Sequence, residues 1–183
     1  MISSMRDPYW QTFLPGIPAG YAPWLHGHGS LTRRIQQRCL QFGVHNVCDC
    51  MMRAAHDETK LLDLSPQQKI YTREVFLLAD HRPVVFAHSV VAPQHLRGAW
   101  HAIQHLGDRP LGALLFAHPL VQRAPLHYRA LKASHPLYRR ASVALDTPPQ
   151  KLWARRSLFI LHNAPLLVTE VFLPEILWLT NTK

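Results

Sequence analysis

Two charged residues sit where apolar side chains are expected. Glu170 is the only acidic residue between Asp146 and Glu175, inside the run Pro165-Leu-Leu-Val-Thr-Glu-Val-Phe-Leu-Pro174. Arg73 is placed likewise in Ile70-Tyr-Thr-Arg-Glu-Val-Phe-Leu-Leu78. Burying either without a partner costs on the order of several kcal/mol. Side chains alternate along a strand, so Val168, Glu170 and Phe172 share one face, and Tyr71, Arg73, Val75 and Leu77 share one face. A guanidinium can grip a carboxylate through two parallel hydrogen bonds. A glutamate in a low-dielectric cavity can stay protonated and act as an acid. The competing account is a direct Arg73–Glu170 or Arg73–Glu74 salt bridge, or plain outward exposure. Structural ion pairs are common, so patterning alone leans that way.

Other candidates carry weaker signals. Arg109-Pro-Leu-Gly112 can present the backbone amide of Leu111 at a helix start, where N–H groups favour anions, though Pro near a helix start is everyday capping. The pair Arg155-Arg156, just before Ser157, could attract an anion, but a solvated strand edge is the usual explanation. Ser157 lacks a nucleophile-elbow context, and the chain holds no P-loop and no dinucleotide fingerprint. His26-Gly-His28 lacks the helical spacing and the nearby carboxylates of a catalytic metal site. Most of the 13 histidines read as solvated.

The elements that must position these residues follow from periodicity and turns. Residues 1–24 are rich in Pro and Gly and read as an irregular arm. Ser30 caps a helix in which Leu31, Ile35 and either Cys39 or Leu40 recur on one side. Residues 43–53 read as a strand. Ile70–Leu78 and Val84–Val91 form a hairpin around residues 79–83, so Arg73 and Glu74 point oppositely and at most one faces the core. Leu96, Trp100 and Ile103 mark a helix from Pro93, and Ala113–Phe116 a second, shorter one. Residues 120–131 read as a strand and 133–150 as loop. Trp153–Leu161 and Leu166–Leu173 form a last hairpin. Hairpins at both ends with helices between imply an α+β fold with an antiparallel sheet.

At 183 residues, 48% hydrophobic and 17% charged, the chain fits one globular domain. No run reaches the ~18–20 apolar residues of a membrane span. The start, Met1-Ile-Ser-Ser-Met-Arg-Asp7, has no basic-then-apolar leader pattern. Cys39, Cys48 and Cys50 are odd in number and read as free thiols in a reducing cytoplasm. The net charge of +9 would suit nucleic acid, anionic lipid or a small anion. The basic residues are scattered in ones and twos, which argues against nucleic acid and leaves the small anion.

In order, these segments resemble the chorismate pyruvate-lyase family. The resemblance is carried by Trp24-Leu25, Ser30-Leu-Thr-Arg-Arg34, Arg73-Glu-Val75, Ala87-His-Ser-Val-Val91 and Leu106-Gly-Asp-Arg-Pro-Leu-Gly112 with Leu115-Phe116. Trp153-Ala-Arg-Arg-Ser157 and the run 165–174 complete it. It implies an irregular arm over residues 1–23 and one catalytic domain over 24–183, whose antiparallel sheet and helical flaps enclose the ligand. It further implies a cytoplasmic monomer that takes chorismate to 4-hydroxybenzoate and pyruvate for ubiquinone synthesis, without metal or organic cofactor, nucleic acid or membrane insertion. Arg73 would hold the ring carboxylate with the amide of Leu111, Leu31 would line the pocket, and Glu170 would face the oxygen that becomes the product's 4-hydroxyl. Glu170 and Arg73 are then the catalytic pair. The chain departs from the family at His88, where arginine is usual beside a second anion-binding region, making His88 a candidate second anion site. The alternatives are a non-catalytic small-molecule binding module of the same general fold, and a basic nucleic-acid-binding protein with exposed, clustered arginines.

Overall fold

Two hairpins supply the centre of the sheet, and both turn on two residues in the left-handed region. In the computed structural model, which describes residues 9–179, Asp80 and His81 (φ 48° and 67°) and His162 and Asn163 (φ 49° and 62°) make these turns. Paired positive φ values match the right-handed twist of the flanking strands, which is why such turns close hairpins tightly. The strands are β1 (Phe42–Arg53), β2 (Lys69–Ala79), β3 (Arg82–Val91), β4 (Gln122–Arg123), β5 (His127–Lys132), β6 (Lys151–Leu161) and β7 (Ala164–Phe172). They form one seven-stranded antiparallel sheet in the order β1-β2-β3-β7-β6-β4, with β5 also on β6.

Five short helices surround it: α1 (Ala22–His26), α2 (Leu31–Gln36), α3 (His56–Leu61), α4 (Leu111–Ala117) and α5 (Pro136–Ser142). Ser30 caps α2 by accepting from the Arg33 amide at 3.3 Å. On one sheet face, Leu25, Leu31 and Ile35 pack over Val75, Val85 and Phe172, while Trp100, Leu111 and Leu115 pack over Tyr71, Phe159 and Val168. On the other, Leu137 and Tyr138 of α5 cover Phe76, Phe86 and Val171, and Leu62, just after α3, joins Ile70 and Val90. Because both faces are covered, Arg73 and Glu74 are both buried, not one alone. No helix among the described residues is long and apolar enough to cross a membrane.

Several local expectations need correction. The helix expected from Pro93 is two 3-10 turns, 93–95 and 101–105, with Gly98 between, although Leu96, Trp100 and Ile103 do pack together. The strand expected over 120–131 breaks at Ala124-Pro125, and the loop expected over 133–150 contains α5. The helix after Ser30 stops at Gln36, and Cys39, not the exposed Leu40, joins the core. Of the arm, residues 1–8 lie outside the described ones. Trp10 is buried and donates to Asp57 at 2.9 Å, and Gln11 bridges Tyr128. Cys48 and Cys50 are joined in a disulfide, so Cys39 alone is a free thiol. They lie two apart on one face of β1, just past a register shift between Asn46 and Cys48.

Candidate functional site

Strand register sets the site. Across the sheet, Asp49, Arg73, Ser89, Val168 and Ser157 form one row of partners, and Val75, Ala87, Glu170 and Arg155 form the next row on the same face. Arg73 and Glu170 therefore face the same way, two strands and one row apart, and both line one cavity with Leu31 and Leu111. Between them the walls are Val75, Ala87, Val168 and Phe159, the flat apolar lining an aromatic ring would need. Among the described residues no three His, Cys, Asp or Glu side chains group so as to hold a metal ion.

Neither Arg73–Glu170 nor Arg73–Glu74 pairs directly. Glu170 is met by its cross-strand neighbour Arg155, whose Nε donates to Oε2 at 2.5 Å. Nη1 of Arg155 also donates to the carbonyls of Trp24, Leu25 and Gly27 at 2.9, 3.2 and 2.8 Å. These carbonyls end α1, whose last turn is too short to satisfy them internally. The pair expected at a solvated edge is thus inside β6. Arg155 is fully buried, and Arg156, facing the other way, donates to Asp57 at 3.0 Å beneath Trp10.

Arg73 has a different partner set. Its Nη2 donates to the carbonyls of Gly107 and Arg109 at 2.7 and 3.0 Å, so the guanidinium fastens the loop that delivers Leu111. Gly107, at φ 52°, supplies the left-handed turn that loop requires. Asp49 lies 3.9 Å from Nε, which has no hydrogen-bond partner. Asp49 instead accepts from the Tyr71 hydroxyl at 2.8 Å. Burial pulls the Arg73 guanidinium below its ordinary pKa, and the Asp49 charge opposes this.

The roof comes from two short flaps, the α1–α2 segment with Gly29, Leu31 and Thr32, and α4 with Leu111, Gly112 and Leu115. The two helix starts nearly touch. A Cβ on Gly112 would stand 3.2 Å from the Thr32 hydroxyl and 3.3 Å from that of Ser30. Arg123 of β4 also lines the cavity. Nothing in the sequence singles it out, because the strand expected over 120–131 has no periodicity that assigns Arg123 a face.

His88 lies on the opposite face. Its Nδ1 is 2.7 Å from Glu74 and its Nε2 is 2.7 Å from Glu58, and Arg140 also pairs with Glu74. Burial alone would pull the imidazole down, but the two carboxylates outweigh it and hold its pKa at about 9. Both ring nitrogens are spoken for, so as placed His88 offers an anion nothing, contrary to its expected role as a second anion site. A roomier hollow of about 430 Å³ adjoins this cluster. Arg53, Arg129 and Arg140 also line that hollow, with Asp57 and Glu58 among them and Arg140 paired to Glu74.

One antiparallel sheet roofed by short flaps, with a cavity between them that carries Arg73, Arg123 and Glu170, defines a single α+β domain. Solved structures of similar shape include the ligand-binding domain of a putative GntR-family transcriptional regulator from Bordetella bronchiseptica (TM-score 0.53, 16% identical, 74% of this chain and 86% of that one). The effector domain of PhnF from Mycobacterium smegmatis is another (TM-score 0.53, 13% identical, 80% and 90%). At such identity the likeness concerns the fold. The family model for chorismate lyase matches residues 10–182, and the chain belongs to that family. It is 47% identical over 167 residues to the probable chorismate pyruvate-lyase of Nitrosomonas europaea, covering 91% of this chain and 94% of the relative. That of Nitrosospira multiformis is 49% identical over 155 residues, covering 84% and 86%.

Proposed function

We propose that the protein converts chorismate to 4-hydroxybenzoate and pyruvate, the step that supplies the ring of ubiquinone. The observation that carries this reading is the placing of Arg73 and Glu170 at two ends of one apolar cavity. Chorismate has a ring carboxylate para to a hydroxyl-bearing carbon, and the enolpyruvyl ether is on the adjacent carbon. Loss of that ether with one ring hydrogen yields pyruvate and an aromatic ring, so aromatisation drives the reaction. Arg73 and the Leu111 amide take the ring carboxylate. Glu170, with Oε2 held by Arg155, offers its other oxygen to the ring hydroxyl as acid/base or hydrogen-bond partner. The flaps exclude water and hold the substrate in a reactive pose.

Incubation with chorismate, followed by assay of both 4-hydroxybenzoate and pyruvate, tests the reading. Stoichiometric formation of the two is expected. Binding of 4-hydroxybenzoate without turnover would instead favour a non-catalytic binding module. Glu170→Gln should lower kcat by roughly 10²–10⁴-fold. Wild-type turnover in that variant, with normal chorismate binding, would remove Glu170 from the chemistry.

A further inference from the structure

Arg123 forms no salt bridge among the described residues, and the nearby Glu170 is already paired with Arg155. Its strand, β4, is only two residues long, pinned to β6 by the pairs Gln122–Ile160 and Arg123–Phe159. The guanidinium lies against the rings of Phe116 and Phe159, 5.8 and 5.2 Å from their centroids, and Nη1 reaches the Gly29 carbonyl at 3.4 Å. It thereby spans from one flap to the other across the cavity it lines. Nε is buried without a hydrogen-bond partner, and no carboxylate pairs with Arg123 among the described residues. An enclosed guanidinium keeps its charge, so this position calls for an anion.

The substrate supplies one. On the proposed function, on which this inference rests, chorismate brings two carboxylates and 4-hydroxybenzoate only one. Arg73 takes the carboxylate they share. With the ring hydroxyl at Glu170, the enolpyruvyl group on the adjacent carbon projects at the same end of the cavity. Arg123 interacts electrostatically with Glu170, whereas Arg155 is already committed to Glu170 and three carbonyls and does not line the cavity. We infer that Arg123 binds the carboxylate of the enolpyruvyl group and is the residue that separates substrate from product. Once pyruvate leaves, Arg123 loses its partner, while the hold of Arg73 on the product is unchanged.

The test compares Arg123→Met, which keeps length and packing against the two rings, with Arg123→Lys. A charged hydrogen bond of this kind corresponds to roughly 10–100-fold in kcat/KM for chorismate. Arg123→Met should show that loss, Arg123→Lys should recover part of it, and the Kd for 4-hydroxybenzoate should stay within about twofold in both. An unchanged kcat/KM in Arg123→Met would overturn the assignment. So would an equal loss of chorismate and 4-hydroxybenzoate binding, which would make Arg123 merely a flap-packing residue. Failure of the unaltered protein to turn chorismate over would sink the proposed function and this assignment with it. Normal turnover with an indifferent Arg123→Met would sink the assignment alone.

Discussion

Arg155 and Glu170 are direct partners across β6 and β7, and the same guanidinium that takes Glu170 Oε2 at 2.5 Å also collects three carbonyls from the end of α1. One buried side chain therefore ties the carboxylate of the site to the flap that roofs it. The position of the roof and that of Glu170 are therefore coupled through Arg155.

That coupling is measurable. Arg155→Met leaves Glu170 and the α1 carbonyls without their donor, and breaking a buried pair on one side costs about 3–5 kcal/mol. Pairing it with Glu170→Gln should recover part of the loss, with a coupling energy of at least about 1 kcal/mol in a urea-unfolding double-mutant cycle. Strict additivity would show that the two residues act separately.

Arg73 joins two tasks in the same way, since its Nη2 holds the loop carrying Leu111. Arg73→Met should weaken 4-hydroxybenzoate binding roughly 10–100-fold, by loss of a charged contact. It should also make cleavage in the 107–111 loop faster under limited proteolysis. A variant that binds product normally would show that Arg73 serves only the loop.

The extent to which this site was legible depends on turn length. Alternation alone placed Arg73 and Glu170 each within a strand, and the antiparallel α+β class followed from the hairpins. A four-residue turn over 162–165, as the sequence suggests, sets Glu170 opposite Ser157 and hides its partner. With His162-Asn163 as a two-residue turn and β6 starting at Lys151, counting back sets Glu170 opposite Arg155, not near an edge. The pairing of His88, a candidate second anion site by sequence, is hidden because Glu58 sits on α3, a helix of six residues with too little periodicity to detect, 30 residues away in sequence. Arg123 was hidden for the same kind of reason, since a two-residue strand leaves no pattern. Local periodicity reports the faces of long strands, whereas pairing between distant segments depends on register and on short elements.

The Cys48–Cys50 disulfide yields a direct count. Alkylation of the denatured, unreduced protein should label one thiol, Cys39, and labelling after reduction should reach three. The closed loop is so short that the chain-entropy gain is roughly 1–2 kcal/mol, so reduction should lower the unfolding midpoint only slightly. Three labelled thiols without reductant would show that the bond does not form in the isolated protein.

The buried charge cluster on the far face predicts how stability varies with pH. His88 titrates near 9 in the folded protein against an ordinary 6.5, so its contribution is fully present below pH 6.5 and is lost as pH rises through 9. Glu58 and Glu74 have the opposite sign. Burial on its own raises both carboxyls above the ordinary 4.5, but contact with His88, and for Glu74 with Arg140, outweighs it and leaves them lowered. Their contribution is present above pH 4.5 and is lost as pH falls below it. Urea-unfolding free energy should therefore plateau between these limits and decline on either side, by about 3 kcal/mol from pH 6.5 to 9 if His88 alone carries the alkaline limb. His88→Gln should be less stable on the plateau, because Glu58 then loses its buried cation, and its alkaline decline should be much shallower. An unaltered protein whose stability stays flat from pH 6.5 to 9 would show that the imidazole is neutral between the two glutamates.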